Sequence, residues 1–547
     1  MLSVWLLVLV GLVLQAWSQA SLVGSYDPFL DQLLYAGQRR LVGALTYRDF
    51  VNGTPVVAQY LYAPSAWLGS WLGPWLGPLR PHRLLLLALS LLGGGLLWSS
   101  LRQLGALGLL ALRRESLVPP FAALLYVVFV QLFPLGSSGL LPSIVDTLLV
   151  LALFLVVRAV LLRDVERRRA ARRSGLIRPR LELVANVCLA LAGAVLLLIV
   201  NALPPLLSPL LLGAVLLVLL LELRRPWPWL LPMLGGGSVA LLLLLLPYLA
   251  RPDGLALVWA GAVQLPLELA SRGTPPGSPL WQRLAELLSL RVAGLPLWLF
   301  GLVPLLALLQ QVASRKGGRG LRLPALAVIF SLDVLLALQR GEPNRNELQL
   351  LVLPGVLLIS AGLAVLESSS QRRRRRTAAV TMLLLSLILC NNVFLAAVLH
   401  PPPGPRPPLL ELEHDRAAVR EYVAALQPAP TSLQAPQDTA LLRELALASG
   451  GVGIGPDWSL DQQKLAASWA THLLGLPIGP AEVCRQLTAP PHELVVWLRT
   501  DRRGLNSEAA LRDCLANDGA DWQAIGEQLA LRSGEVQVFR RLAPIRP

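Results

Sequence analysis

Apolar runs of bilayer-spanning length recur along this chain, and nothing else in the sequence restricts its fold as much. Leu241–Leu246 is an unbroken leucine run inside one of them. About 20 apolar residues suffice to cross a hydrocarbon core as a helix. In lipid the backbone must satisfy its own hydrogen bonds, so a spanning segment is a helix or part of a closed barrel. A barrel would show short alternating strands, which continuous apolar runs exclude. Runs near 3–20, 83–101, 117–133, 139–162, 183–203, 206–222, 229–249, 294–313, 323–338, 348–366 and 377–399 predict about eleven transmembrane helices. Composition agrees: 54% of residues are hydrophobic and 15% charged, against about 25% charged in soluble domains. The mean hydropathy is +0.59.

The net charge of +15 would suit a polyanion-binding protein, but its distribution does not. Arg163–Arg180, Arg315–Arg322 and Arg372–Arg376 hold most of the excess, and each lies between apolar runs. That is the positive-inside pattern of cytoplasmic loops. Nucleic acid is therefore not an expected partner, whereas anionic lipid headgroups are the expected neighbours of these loops. Placing the three arginine segments in the cytoplasm also puts Arg224 and Arg225 there. The N-terminus is then cytoplasmic and the C-terminus lies on the outer face. Ser18-Gln19-Ala20 has the small residues of a signal-cleavage site, yet no lysine or arginine precedes it, so a retained first span is expected.

The expected organisation is a transmembrane domain over residues 1–400, a proline-rich linker over 401–408 and a soluble domain over 409–547. Two longer segments interrupt the spans on the outer side, 21–81 and 250–292. Within the first, Leu30–Gly43 has helical apolar spacing, and Val56–Leu72 is apolar and aromatic enough to lie in the membrane interface. The linker, Pro401–Pro408, is stiff. Beyond it Leu410–Leu426 reads as an amphipathic helix, and Glu493–Leu498 and Glu535–Phe539 as strands, so the tail is expected to be a small α/β domain. Cys188 and Cys390 fall in apolar runs; Cys484 and Cys514 lie in the tail, where spacing alone does not decide whether they pair. No His/Cys spacing suited to a metal occurs. No cofactor is expected, and a divalent cation stays open.

Charged residues at the outer ends of spans mark candidate chemistry, because the membrane penalises them. The first outer segment is the densest in charge, with Asp27, Asp31, Arg39, Arg40, Arg48 and Asp49. Asp146 lies just inside a span, where it suits either helix packing or a site, and Arg345 flanks one. Tyr35 and Tyr62 suit an interfacial aromatic belt as well as a site.

The order Asp31-Gln32-Leu33-Leu34-Tyr35, Arg40-Leu41-Val42-Gly43, Tyr47-Arg48-Asp49-Phe50, Pro55 and Gln59-Tyr60-Leu61-Tyr62 resembles the first outer loop of GT-C membrane glycosyltransferases. The likeness is to the bacterial dolichyl-phosphate-mannose mannosyltransferase-like and aminoarabinose-transferase-like branch. It implies a helical membrane fold, a bacterial inner membrane location with a periplasmic tail, and sugar transfer from a polyprenyl-phosphate donor. The acceptor would be a hydroxyl of a glycan, lipid or protein. The resemblance implies Asp31 as catalytic base, with Arg48, Asp49, Arg345, Tyr35 and Asp146 as candidate contacts to donor and lipid phosphate. A single displacement would invert the anomeric centre. Gln32 stands where that family commonly has a second acid, and Thr54 where it has a lysine. The alternatives are a non-enzymatic lipid or sugar flippase or transporter, and an inactive transferase relative.

Overall fold

In a computed structural model the described residues are 2–19, 36–37, 40–41, 43, 56–76, 80–113, 115–132, 140–172, 179–202, 227–250, 252, 254–259, 302–310, 324, 327–328, 331, 352–398, 417–419, 421–422, 425, 433–434, 494–499, 522–531 and 534–542. They form helices α1 (Leu2–Gln19), α2 (Val56–Leu76), α3 (Arg80–Ala106), α4 (Val118–Leu132), α5 (Leu140–Arg172), α6 (Pro179–Ala202), α7 (Trp227–Leu249), α8 (Gly254–Trp259), α9 (Val352–Ser368) and α10 (Arg372–Val398), and strands β1 (Leu433–Gln434), β2 (Leu494–Arg499), β3 (Trp522–Leu531) and β4 (Gly534–Arg541). Residues 302–310 are also helical.

Among the described residues, Leu84–Ala106, Ile144–Arg168, Arg180–Ala202 and Trp227–Leu249 are long and apolar enough to cross a membrane, and Ser3–Leu14, Val118–Gln131 and Val352–Ser368 are shorter apolar helices. The chain is a polytopic α-helical membrane protein. The span expected near 206–222 lies outside the described residues.

The chain divides into two compact units. The first comprises Met1–Gln19, Arg83–Leu246 and Ala270–His400. In it α5 packs along α6, α9 along α4 and α10, and α1 along α10. The Trp5 indole donates to Ser386 Oγ at 2.9 Å, which fixes α1 on α10. Ser386 in turn donates to the Met382 carbonyl, so the added donor does not leave an orphan group in the apolar interior.

Helices α6 and α7 meet at a small-residue seam. A Cβ on Gly193 would collide with the Met233 backbone, and one on Gly236 with the Ala190 backbone. Lipid tails are as apolar as leucine, so packing rather than the hydrophobic effect holds such helices together, and small residues permit the approach. At one end of the seam the Arg163 guanidinium of α5 donates to Asn186 Oδ1 of α6 at 2.6 Å and to the Pro228 carbonyl of α7 at 3.0 Å. It also lies 4.1 Å from the Trp229 ring centroid. One side chain thus ties three helices. Arg163→Ala is expected to destabilise the protein by about 2 kcal/mol, since it removes a cation–π contact and leaves two acceptors unfilled. Arg163→Lys should recover little, because an ammonium cannot present the planar fork. Melting temperatures in detergent check both.

The basic segments differ from the expected loops. Helix α5 runs on to Arg172, and Arg372–Arg376 is the start of α10. Arginine, alanine, leucine and glutamate are all strong helix formers, and an Asp164–Arg168 ion pair at 2.8 Å spans one turn. Nothing in Arg163–Arg172 breaks a helix, so the helix outlasts its apolar stretch.

The second unit comprises Ala20–His82, Pro247–Leu269 and Pro401–Pro547. Its helix α2 contains no charged residue, and Trp67 and Trp71 are exposed on it, their rings stacked at 6.3 Å. Exposed indoles on an uncharged helix suit a membrane interface. The unit also holds a sheet of order β1-β2-β4-β3. Strands β2 and β4 are antiparallel in a register that pairs Val496 with Val538; β3 and β4 are antiparallel with a shift between Ile525 and Leu529. Strands β2 and β4 cover the segments expected from sequence, and β1 and β3 were not anticipated.

Candidate functional site

Two blocks of the motif in segment 21–81 come together. Residues 36–37 and 40–41 are helical, and Gly43 follows with φ of 83°, its amide bonded to the Arg40 carbonyl at 3.0 Å. Glycine takes this left-handed conformation without a Cβ penalty, so it ends the helix there. Gly37 lies against the backbone of Tyr62, where a Cβ would come within 2.8 Å. The short helix therefore sits close on α2.

That approach sets the Arg40 side chain among tyrosines. Its guanidinium donates to the Tyr60 hydroxyl and lies over the Tyr60 ring, 4.1 Å from the centroid. Tyr248, at the end of α7, contributes a second ring 5.8 Å away. Tyr248 is buried, and its hydroxyl has no hydrogen-bond partner among the described residues. Next to Tyr60 on α2, the buried Tyr62 ring stacks on buried His82 at 5.8 Å. A half-buried guanidinium framed by aromatic faces can bind an anion and present flat surfaces to a sugar ring.

A separate polar layer lies inside the first unit. Gln131 of α4 donates to Ser90 Oγ of α3 at 2.6 Å and to the Leu86 carbonyl at 3.3 Å. Thr147 of α5 donates to the Leu89 carbonyl at 3.5 Å. Asp146, the residue before it, is fully buried, and Tyr126 of α4 lies beside both. Gly93 of α3 makes room for that ring: a Cβ there would come within 2.8 Å of it. Buried ionisable groups in membrane helices are costly, and they are retained where the bundle or a ligand answers them.

Of the residues singled out from sequence, Asp146 is therefore placed in a helix seam. Asp31, Tyr35, Arg48, Asp49 and Arg345 lie outside the described residues, as do Cys484 and Cys514. The sequence shows Arg40 as one charge among several and as a motif residue, but it pairs Arg40 with neither Tyr60 nor Tyr248, and it does not pair Tyr62 with His82. The Gln59-Tyr60-Leu61-Tyr62 block carried a signal for Tyr60, but nothing linked Tyr248 to this segment. Among the described residues no three His, Cys, Asp or Glu side chains converge on a point that could hold a metal.

No protein-family model matches the sequence, and no curated relative matches it. Solved structures do. The crystal structure of ArnT from Cupriavidus metallidurans bound to undecaprenyl phosphate matches 98% of this chain and 98% of its own, with a TM-score of 0.50 at 11% identity. The same protein in the apo state matches 98% and 97%, with a TM-score of 0.48 at 13% identity. The overlap with the first of these runs nearly end to end in both chains. This chain therefore shares the polytopic helical membrane fold of that ArnT structure.

Proposed function

We propose that this protein is a membrane glycosyltransferase that moves a sugar from a polyprenyl-phosphate donor to an acceptor hydroxyl at the outer face of a bacterial inner membrane. The observation that carries this is the end-to-end fold match to a transferase structure with undecaprenyl phosphate bound. Arg40 and Tyr60 of segment 21–81, with Tyr248 from the end of α7, support it as a surface suited to a sugar phosphate.

The chemistry follows from the donor. The acceptor oxygen attacks the anomeric carbon, and the bond from that carbon to the phosphate oxygen breaks. The hydroxyl proton passes to Asp31, and the lipid phosphate departs with the electron pair. A carboxylate within hydrogen-bond reach of the acceptor supplies the base. Arginine binds the departing phosphate best, through two parallel N–H donors; Arg48 and Arg345 are assigned that role, with Tyr35 and Asp49 near the sugar. Attack opposite the leaving group inverts the centre. The tail is periplasmic in this arrangement and the N-terminus cytoplasmic.

A second reading, transport of a lipid or sugar, draws on Asp146, since ionisable groups buried among membrane helices often line transport paths. Reconstituted protein supplied with polyprenyl-phosphate pentose or hexose and an envelope extract as acceptor separates the two. Transfer releases free polyprenyl phosphate in step with sugar incorporation. Passage of intact donor between leaflets with no such release would overturn the transferase reading.

A further inference from the structure

Helix α10 opens with five consecutive arginines, Arg372–Arg376, all exposed. None of them is ion-paired with a described residue; Arg375 donates to the Ser370 carbonyl at 3.4 Å. The nearby carboxylate of Glu367 is engaged by Ser116. No acidic residue occupies the first turn of α10. Cations at a helix N-terminus oppose its dipole, and the first amides there have no intrahelical acceptor. This end of the helix therefore favours an anion.

The helix below shows which kind. Val380, Leu383 and Leu387 are 53%, 38% and 46% exposed, whereas Ala378, Met382, Leu385 and Leu389 are buried on the opposite side. At 3.6 residues per turn, Arg373 and Arg376 fall within an arc of about 80° that also contains Val380, Leu383 and Leu387. Arg374 and Arg375 point elsewhere. Two guanidiniums thus stand at the head of an exposed apolar stripe. A free anion would use the charges alone. A phospholipid uses both, with its phosphate at the arginines and an acyl chain along the stripe.

We propose that this face of α10 is a binding site for an anionic glycerophospholipid of the leaflet bordering the arginines, with Arg373 and Arg376 holding the headgroup phosphate. Basic surfaces at the ends of membrane helices attract such headgroups, and the paired N–H donors of arginine suit a phosphate. The site is separate from the chemistry proposed above and does not depend on it.

The test uses the full-length chain in detergent, with binding read by native mass spectrometry and by lipid-dependent melting temperature. The probes are dioleoylphosphatidylglycerol, dioleoylphosphatidylcholine and inorganic phosphate. R373Q/R376Q is expected to weaken phosphatidylglycerol binding about thirtyfold, two headgroup contacts being lost. R374Q/R375Q removes the same charge off the stripe and is expected to change binding by less than about threefold. If the double variant does not fold, R373Q against R374Q carries the same contrast at about fivefold. Equal losses from both pairs would mean diffuse attraction and overturn the site. So would equally tight phosphatidylcholine binding, or displacement of the lipid by millimolar phosphate.

Discussion

Asp31→Asn should abolish sugar transfer while leaving the protein folded and able to bind donor. Asparagine keeps the size and hydrogen-bonding reach of aspartate but cannot take a proton, and loss of a general base typically slows a reaction by about 10²–10⁴-fold. The effect should fall on kcat, because the base acts on the acceptor as it attacks rather than on the bound donor. Asp27 lies one helical turn earlier in sequence, so Asp27→Asn is the control. A dead Asp27→Asn beside a near-normal Asp31→Asn would move the base to Asp27. Near-normal turnover in both would sink the assignment of a carboxylate from this part of the loop. Asp49 and Asp146 would then be tested in the same way.

The largest effect on stability is expected at the α6–α7 seam. Gly236→Leu should cost about 3 kcal/mol or more, because the colliding group is the Ala190 backbone, which cannot rotate away as a side chain can. The two helices would have to separate, and the Arg163 tie to Asn186 and Pro228 would stretch with them. Gly235 is the neighbouring control. A Cβ there meets nothing within 4 Å, so Gly235→Ala should be neutral or add up to about 1 kcal/mol through helix propensity. Thermal unfolding in detergent reads both. Comparable melting of Gly236→Leu and wild type would contradict the close approach.

The helices were legible in the sequence where an apolar run met a clear stop. Helix α7 begins near Trp227 and ends at Leu249, close to the expected 229–249, because charged and proline-containing segments flank it. The C-terminal end of α5 and the start of α10 were not legible in this way. Hydropathy marks where lipid ends, not where a helix does, and arginine-rich sequence continues a helix readily. The candidate site was legible in part. Spacing and motif drew attention to 31–62, and the helical spacing expected over Leu30–Gly43 stops at the glycine whose φ is positive in the structure. The partnership of Arg40 with Tyr248 could not be read, because it depends on how the end of α7 approaches a distant segment, and no periodicity records that. Asp146 was legible as an unusual residue for its place but not as a neighbour of Tyr126, which comes from another helix.

Helix α5 carries Asp146 near one end and Arg163 near the other, and it has no proline or glycine between them. At a rise of 1.5 Å per residue the two lie about 25 Å apart on an unbroken rod. Kinks form at proline, glycine pairs or inserted side chains, so this stretch has no natural elbow. A rotation imposed where Arg163 grips α6 and α7 would arrive almost undiminished at the Asp146–Tyr126 layer, turning α5 into a lever between the basic margin of the bundle and its buried polar seam.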